Sequence, residues 1–173
     1  MTDYENLLKL LARAEVEFIV VGGVAASAHG SARVTEDLDI VYGRAPKNIK
    51  RLVEALSSTN PYLRGAPPGL PFKFDEKTVA NGLNFTLTTD LGPLDLLGEI
   101  TGGGGYEQLL PYSINVSVFE TECSLLGLER LIHVKRAAGR PKDLEAIAEL
   151  ERIMEQEARN RTRIRGSRTK RTS

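Results

Sequence analysis

The sequence predicts an α/β (α+β) protein in which helices flank a mixed β-sheet and further helices follow at the C-terminal end. Apolar side chains recur at helical spacing near both ends of the 173-residue chain. Between these segments lie short apolar runs, bounded by glycine, proline and aspartate, that have the length of strands. With 41% hydrophobic and 27% charged residues, the chain can build the core of one globular domain.

The N-terminal half is predicted to begin with a helix, because Thr2 and Glu5 have the spacing of a capping box. Four consecutive apolar residues then end at Gly22-Gly23, which is typical of a short buried strand that stops at a tight turn. The expected elements are a helix to about residue 15, a strand at 18–21, a short helix at 24–28, a strand at 33–42 and a helix from Pro46.

Proline and glycine concentrate in residues 60–82, so this segment is predicted to be a loop with at most one irregular strand. Gly139 and Pro141 predict a break between the last two helices. The remaining expected elements are strands at 83–88, 93–97 and 114–119, a mobile loop at 102–105, a helix at 128–138, and a last helix from Pro141 with Leu144, Ile147, Leu150 and Met154 on its inner side.

Cysteine usage and hydropathy restrict the class of protein. Cys123 is the only cysteine, which excludes an intrachain disulfide and a cysteine-based zinc cluster and favours a reducing compartment. We expect this thiol to be buried and inert. No apolar run approaches the ~20 residues of a membrane span, and the N-terminus does not have the layout of a signal peptide. The sequence therefore predicts a soluble, cytoplasmic protein without membrane contact.

Charge is unevenly distributed, although the formal net charge is zero. Residues 159–173 contain seven of the 23 basic side chains and no acidic one. We expect residues 1–158 to form the domain, with its C-terminal helices from about residue 127, and residues 159–173 to be a disordered basic tail. Such a tail either binds a polyanion such as RNA or is only a solvated extension.

Asp37 and Asp39 are the strongest candidates for chemistry. They alternate along a predicted strand, so their side chains share a face about 6–7 Å apart along the chain. Two anions this close repel, and each raises the pKa of the other unless a cation compensates. A divalent metal is the natural compensator. Glu36 points to the opposite face of the strand and is not included.

Two further features extend this pattern. The turn at Gly22 and Gly23, between a strand and a short helix, directs backbone N–H groups in a way that suits phosphate, although such a pair also serves as a plain tight connection. A site for two metals needs a third carboxylate, and Asp95, which lies within an apolar run, is the best candidate, with Glu99 in reserve. A phosphate cradle beside paired metal ligands is typical of metal-dependent phosphoryl transfer.

These residues resemble the signature of the nucleotidyltransferases of the DNA polymerase β superfamily. That signature is hydrophobic-Gly-[Gly/Ser], a spacer, and then Asp-hydrophobic-[Asp/Glu]-hydrophobic. The matching segments are Val21-Gly22-Gly23, a spacer of 13 residues, Asp37-Leu38-Asp39-Ile40 and, for the family's later acidic element, Leu94-Asp95-Leu96. Residues 131–144 further look like small AbiEii-type toxins and related nucleotidyltransferase-like proteins.

The resemblance implies the nucleotidyltransferase fold and transfer of a nucleoside monophosphate from a nucleoside triphosphate to a hydroxyl group. Asp37, Asp39 and Asp95 would be catalytic and would bind two Mg²⁺ or Mn²⁺ ions, and Asp95 would help to deprotonate the acceptor. Gly22 and Gly23 would face the triphosphate. The acceptor could be RNA, a protein hydroxyl or a small molecule, and the AbiEii likeness implies a toxin with an antitoxin partner. The alternative is a catalytically inactive nucleotide- or nucleic-acid-binding module of the same fold.

Lys135 falls on the apolar stripe of the helix at 128–138, where an ammonium group needs a partner. Two interpretations remain open at this point. Lys135 could form an ion pair with Asp143 across the turn between the last two helices. It could instead reach the phosphates of the nucleotide, as a lysine in this helix does in the resembling proteins.

Overall fold

The structure is a computed structural model that describes the backbone of residues 1–169 and the side chains of residues 1–166. Seven α-helices and nine strands follow one another along this part of the chain. The helices are α1 (Tyr4–Arg13), α2 (Gly22–Ala28), α3 (Pro46–Leu56), α4 (Glu76–Asn81), α5 (Tyr106–Leu109), α6 (Leu128–Ala138) and α7 (Pro141–Thr169). The strands are β1 (Phe18–Val21), β2 (Leu38–Tyr42), β3 (Tyr62–Leu63), β4 (Phe85–Thr89), β5 (Gly92–Leu97), β6 (Glu99–Ile100), β7 (Gly104–Gly105), β8 (Ser113–Val118) and β9 (Thr121–Leu126).

Seven of the strands form one mixed sheet in the order β3-β4-β5-β2-β1-β9-β8. At its centre β1 pairs antiparallel with β2 and parallel with β9, and β2 pairs parallel with β5. All four residues of β1 are buried, as expected for a strand covered on both faces. The predicted class, a mixed sheet flanked by helices with C-terminal helices, is confirmed.

The core forms where the apolar stripes of α1 and α3 and the central strands meet. Leu7, Leu8 and Leu11 of α1 are fully buried, and Leu52 and Leu56 of α3 are buried with them. Each such side chain stabilises the fold by about 1.5–3 kcal/mol. On the site side, α2 packs on β1 and β2, and α6 packs on α2 and α7. The core therefore holds the central strands and α2 in fixed positions.

The N-terminus differs from the predicted capping box, because Asp3 rather than Thr2 caps α1. The Asp3 side chain accepts a hydrogen bond from the Asn6 N–H at 3.0 Å. Thr2 instead donates to the backbone oxygen of Glu36, and the Tyr4 hydroxyl donates to that of Thr35 at 2.7 Å. Because the Thr2 hydroxyl is bonded to a residue far away in sequence, it does not cap α1. The two hydrogen bonds also hold the backbone that leads into β2 against the start of α1.

Several elements between the predicted segments differ from expectation. The strand expected from residue 33 begins only at Leu38. The loop at 60–82 contains β3 and the helix α4, whose first turn is capped by Asp75. Part of the glycine loop at 102–105 pairs as β7 with β6. The strand β9 was not predicted, and it lies between β1 and β8 after a tight turn at Phe119 and Glu120, both at positive φ.

The last two helices confirm the predicted break. Gly139 ends α6 at φ +65°, and Pro141 begins α7. The inner side of α7 differs from the prediction, because Leu144 is 60% exposed whereas Ile147 and Leu150 are buried. Met154, also expected on the inner side, is 36% exposed.

Helix α7 continues to Thr169, so residues 159–169 are helical rather than disordered as predicted. Ion pairs of i,i+4 spacing support this extension, because Glu155 lies 4.0 Å from Arg159 and Glu157 lies 3.6 Å from Arg161. Residues 170–173 of the predicted tail lie outside the described residues. The domain boundary at residue 158 stays a prediction.

Cys123 is buried in β9, and burial, with the nearby charge of Glu122, raises the pKa of its thiol. A raised pKa disfavours the reactive thiolate, which supports the predicted inert role. None of the helices within residues 1–169 combines the length and apolar character that a bilayer crossing requires.

Candidate active site

Three carboxylates converge where β2 and β5 lie side by side. The parallel register places Asp39 directly opposite Asp95, and Asp37 immediately precedes β2 on the same face. One carboxylate oxygen from each of the three side chains lies within 4.8 Å of the others. The structure thus brings together the three aspartates that the sequence singled out. Three converging carboxylates are the donor set that Mg²⁺ and Mn²⁺ prefer.

The electrostatics of this acidic cluster also favour a cation. Burial raises the pKa of Asp39 to about 7, and the charges of Asp37 and Asp95 add to the rise. Burial raises the pKa of Asp95 as well, although the Arg64 guanidinium opposes that effect. Since ionisation of Asp39 is disfavoured while the cluster lacks a metal, a divalent ion would relieve the repulsion.

The absence of a side chain at Gly22 leaves room for the carboxylate of Asp39. The φ of Gly22 is +65°, and a Cβ atom there would lie 2.0 Å from Oδ2 of Asp39. At Gly23 a Cβ atom would lie 2.5 Å from the Thr35 side chain, whose hydroxyl donates to Oδ1 of Asp37 at 3.2 Å. The glycine pair therefore lets the start of α2 approach the acidic cluster closely.

A cleft of about 580 Å³ opens beside the acidic cluster, between the sheet and the helices α2, α6 and α7. Such a volume is in the usual range for a small-molecule site. Four basic residues lie along its lining: Arg33, Lys135, Arg140 and Lys142. Leu131, Val134 and Ile100 contribute apolar surface. The cleft thus combines an acidic end, basic side chains and an apolar wall.

Lys135 and Asp143 form the ion pair that one of the two interpretations predicted. The Lys135 Nζ lies 3.8 Å from Oδ1 of Asp143, which is almost completely buried. Arg140 is the closer partner of Asp143, with contacts of 2.6 and 3.3 Å to its two oxygens. Burial lowers the pKa of Lys135, and the negative charges of Asp143 and Asp39 oppose this. Because Arg140 already neutralises Asp143, Lys135 retains donor capacity on the cleft side.

Sequence reasoning missed Arg64, which pairs with two of the three carboxylates. Its Nη2 lies 2.8 Å from Oδ1 of Asp95, and its Nη1 lies 3.6 Å from Oδ2 of Asp37. Arg64 follows β3 inside the segment rich in proline and glycine, whose conformation is not readable from sequence. The available signal was that no other arginine occurs between Arg51 and Arg130.

Glu99, the reserve candidate, lies outside the acidic cluster, as do His29 and Arg33. Glu99 is exposed in β6 and lines the cleft without joining the three aspartates. His29 ends α2, and its Nε2 lies 2.8 Å from the backbone oxygen of Leu126. Arg33 pairs with Glu145 at 3.0 Å, which ties the loop before β2 to α7.

No protein-family model and no curated protein matches this chain. Solved structures do match it. The lincosamide antibiotic adenylyltransferase LnuA, in a lincomycin-bound crystal structure, is 14% identical, with 88% of this chain and 98% of that chain covered and a TM-score of 0.57. TM1012 from Thermotoga maritima, named as a candidate nucleotidyltransferase, is 15% identical, with 93% and 94% covered and a TM-score of 0.51. At these identities the similarity is one of fold, and the chain has the nucleotidyltransferase fold.

Proposed function

We propose that this protein is a metal-dependent nucleotidyltransferase that transfers a nucleoside monophosphate from a nucleoside triphosphate to a hydroxyl group, with release of pyrophosphate. The observation that carries the proposal is the convergence of three carboxylates at one end of a cleft lined by basic side chains. A nucleoside triphosphate with its metals needs carboxylate ligands for the metal ions and, close to them, cationic side chains for the phosphates.

Asp37, Asp39 and Asp95 would hold two Mg²⁺ or Mn²⁺ ions. When bound, such ions stabilise charge on the attacking and leaving oxygens of the reaction. Asp95 lies at the edge of the acidic cluster towards β4 and would accept the proton of the acceptor hydroxyl. Lys135 faces the cleft from α6 and would bind the triphosphate together with Gly22 and Gly23.

For the acceptor we propose RNA, held through the basic end of α7. Arg159, Arg161, Arg163 and Arg165 lie on this helix, and all four are exposed. Cations of this density bind phosphate backbones without sequence preference. LnuA is named as an adenylyltransferase of lincosamide antibiotics, so the hydroxyl group of a small molecule is the competing acceptor. The likeness of residues 131–144 to AbiEii-type toxins adds the proposal of a cytoplasmic toxin held in check by an antitoxin.

Labelling identifies the nucleotide and the acceptor together. The protein is incubated with each labelled nucleoside triphosphate, Mg²⁺ or Mn²⁺, and in turn with total RNA, lysate protein or lincomycin. Label in the RNA fraction, absent with the Asp39→Asn variant, supports the proposal. Label on lincomycin or on protein would replace RNA as the acceptor. Nucleotide binding without transfer to any acceptor would favour an inactive binding module.

Expression in bacterial cells tests the toxin proposal separately. The wild-type chain should arrest growth, and the Asp39→Asn variant, produced at the same level, should not. Equal growth with both chains would contradict a toxin role and would leave the transfer reaction unaffected.

A further inference from the structure

Arg64 places a positive charge among the carboxylates that the proposed function assigns to metal. Its guanidinium lies 2.8 Å from an oxygen of Asp95 and 3.6 Å from an oxygen of Asp37. Asp37 and Asp95 are two of the three members of the acidic cluster. A guanidinium and a divalent ion both require carboxylate oxygens at short distance, so the two cations compete for the same ligands.

The backbone fixes Arg64 in this place. Its N–H donates to the oxygen of Thr86 at 2.9 Å, which continues the ladder between β3 and β4 by one residue. Its Nε and Nη2 both donate to the oxygen of Leu87, at 3.2 and 2.8 Å. The guanidinium is therefore held from behind by β4 while it faces the acidic cluster. This arrangement separates it from a solvated arginine that meets a carboxylate by chance.

The two ion pairs of Arg64 are unequal. The contact with Asp95 has the length of a charge-assisted hydrogen bond, whereas the contact with Asp37 is too long for one. A metal that enters the cluster would therefore take Asp37 from Arg64 more easily than Asp95. The anchor on Leu87 would keep the guanidinium close to Asp95 and hence close to the metal.

We propose that Arg64 is the counter-cation of the acidic cluster and competes with divalent metal for Asp37 and Asp95. The inference rests on the proposed metal site. Arg64 neutralises part of the repulsion among the three carboxylates while the site holds no metal, and it weakens the binding of metal to the free protein. The nucleoside triphosphate, which brings its own charge to the cleft, would then be needed for tight metal binding.

Titration with Mn²⁺ alone, without nucleotide, tests this inference. The proteins compared by calorimetry are the wild type, Arg64→Met and Arg64→Gln. Glutamine keeps an amide N–H that can reach the oxygen of Leu87, so it guards against loss of the local fold. The matched control is Arg44→Met, since the Arg44 guanidinium also donates to a backbone oxygen, that of Ala80 at 3.0 Å, but does not pair with the acidic cluster.

We expect Mn²⁺ to bind about tenfold or more tightly to both Arg64 variants than to the wild type. A unit charge about 4 Å from a divalent ion has at least this effect even in a dielectric close to that of water. Arg44→Met should bind Mn²⁺ as the wild type does. Arg64→Lys, which keeps the charge, should stay closer to the wild type than the two neutral variants.

The outcomes separate the inference from the metal site on which it rests. If Mn²⁺ binds the wild type but binds folded Arg64→Met and Arg64→Gln with equal or lower affinity, competition is overturned. Arg64 would then act by orienting Asp95. If Mn²⁺ binds none of the proteins, the metal site itself is overturned. If Mn²⁺ binds the Arg64 variants but not the wild type, Arg64 excludes metal from the free protein completely, which is the strongest form of competition.

Discussion

Replacing Asp39 by asparagine removes the charge that the buried site disfavours most. Burial and the neighbouring carboxylates raise the pKa of Asp39 from 3.8 to about 7. At about 1.4 kcal/mol per pH unit, that rise corresponds to about 4 kcal/mol of lost stability once the group is ionised. Local relaxation reduces the effect, so we expect Asp39→Asn to stabilise the metal-free protein by about 1–3 kcal/mol at pH 8.

The pH dependence of this gain has a definite sign. Because the pKa of Asp39 is higher in the folded state than in the unfolded state, the proton is retained on folding. Below pH 3.8 both states are protonated, and the charge imposes no penalty. The penalty develops as the pH rises from 3.8 to about 7 and is complete above that. The gain of Asp39→Asn should therefore be clearly smaller at pH 5 than at pH 8, where it is largest.

Thermal unfolding in the presence of a chelator measures this gain. We expect the melting temperature of Asp39→Asn to exceed that of the wild type by roughly 3–9 °C at pH 8, on the scale for a domain of this size. Glu99→Gln is the matched control, because Glu99 lines the same cleft outside the acidic cluster. Saturating Mn²⁺ should reverse the order by stabilising only the protein with an intact metal site.

Two results would refute this reasoning. Equal stability of the wild type and Asp39→Asn at pH 8, or a larger difference at pH 5, would show that the site does not penalise the Asp39 charge. Equal stabilisation of both proteins by Mn²⁺ would remove Asp39 from the metal site.

Three further predictions concern the cleft and the last helix. Lys135→Met should lower nucleotide affinity about tenfold with little change in melting temperature, as expected for loss of one charge-assisted contact. A large drop in stability with normal nucleotide binding would instead establish a purely structural ion pair between Lys135 and Asp143. Gly22→Ala and Gly139→Ala both place a side chain at φ +65°, at a cost of roughly 1–2 kcal/mol. Only Gly22→Ala should abolish Mn²⁺ binding, because only its Cβ meets Asp39. Retained Mn²⁺ binding in folded Gly22→Ala would contradict the close approach of Gly22 to Asp39. Deletion of residues 159–173 should weaken the binding of tRNA-sized RNA and flatten its salt dependence, measured at two salt concentrations, while nucleotide binding stays unchanged. Equal RNA affinity and equal salt slope with and without the segment would show that it is only a solubilising extension.

The acidic cluster could be predicted because its members lie in regular, strongly patterned segments. Asp37 and Asp39 alternate beside a buried apolar strand, and Asp95 interrupts a second one, so each position follows from the two-residue period of strands. The same applies to α6, whose C-terminal end is marked by Gly139. In these segments local sequence and tertiary packing demand the same conformation.

Other parts depend on partners that are distant in sequence. The strand β9 joins the sheet by pairing in parallel with β1, about a hundred residues earlier. Only Leu125 and Leu126 at its end are large apolar residues, so its own sequence does not indicate a strand. Arg64 reaches Asp95 through the pairing of β3 with β4, a ladder of two residue pairs. The segment from Arg159 onward has the composition of a disordered tail, yet as far as Thr169 it continues α7. Glutamates one turn earlier pair there with Arg159 and Arg161.

The position of the transferred label tests nucleotidyl transfer most directly. The wild-type protein is incubated with Mg²⁺, acceptor RNA and a nucleoside triphosphate labelled at either the α- or the γ-phosphate. We predict that RNA gains label from the α-phosphate and none from the γ-phosphate, and that a chelator or the Asp39→Asn substitution abolishes the gain. Transfer of the γ-label, or transfer of the α-label that persists in Asp39→Asn, would contradict the proposed reaction and its metal site.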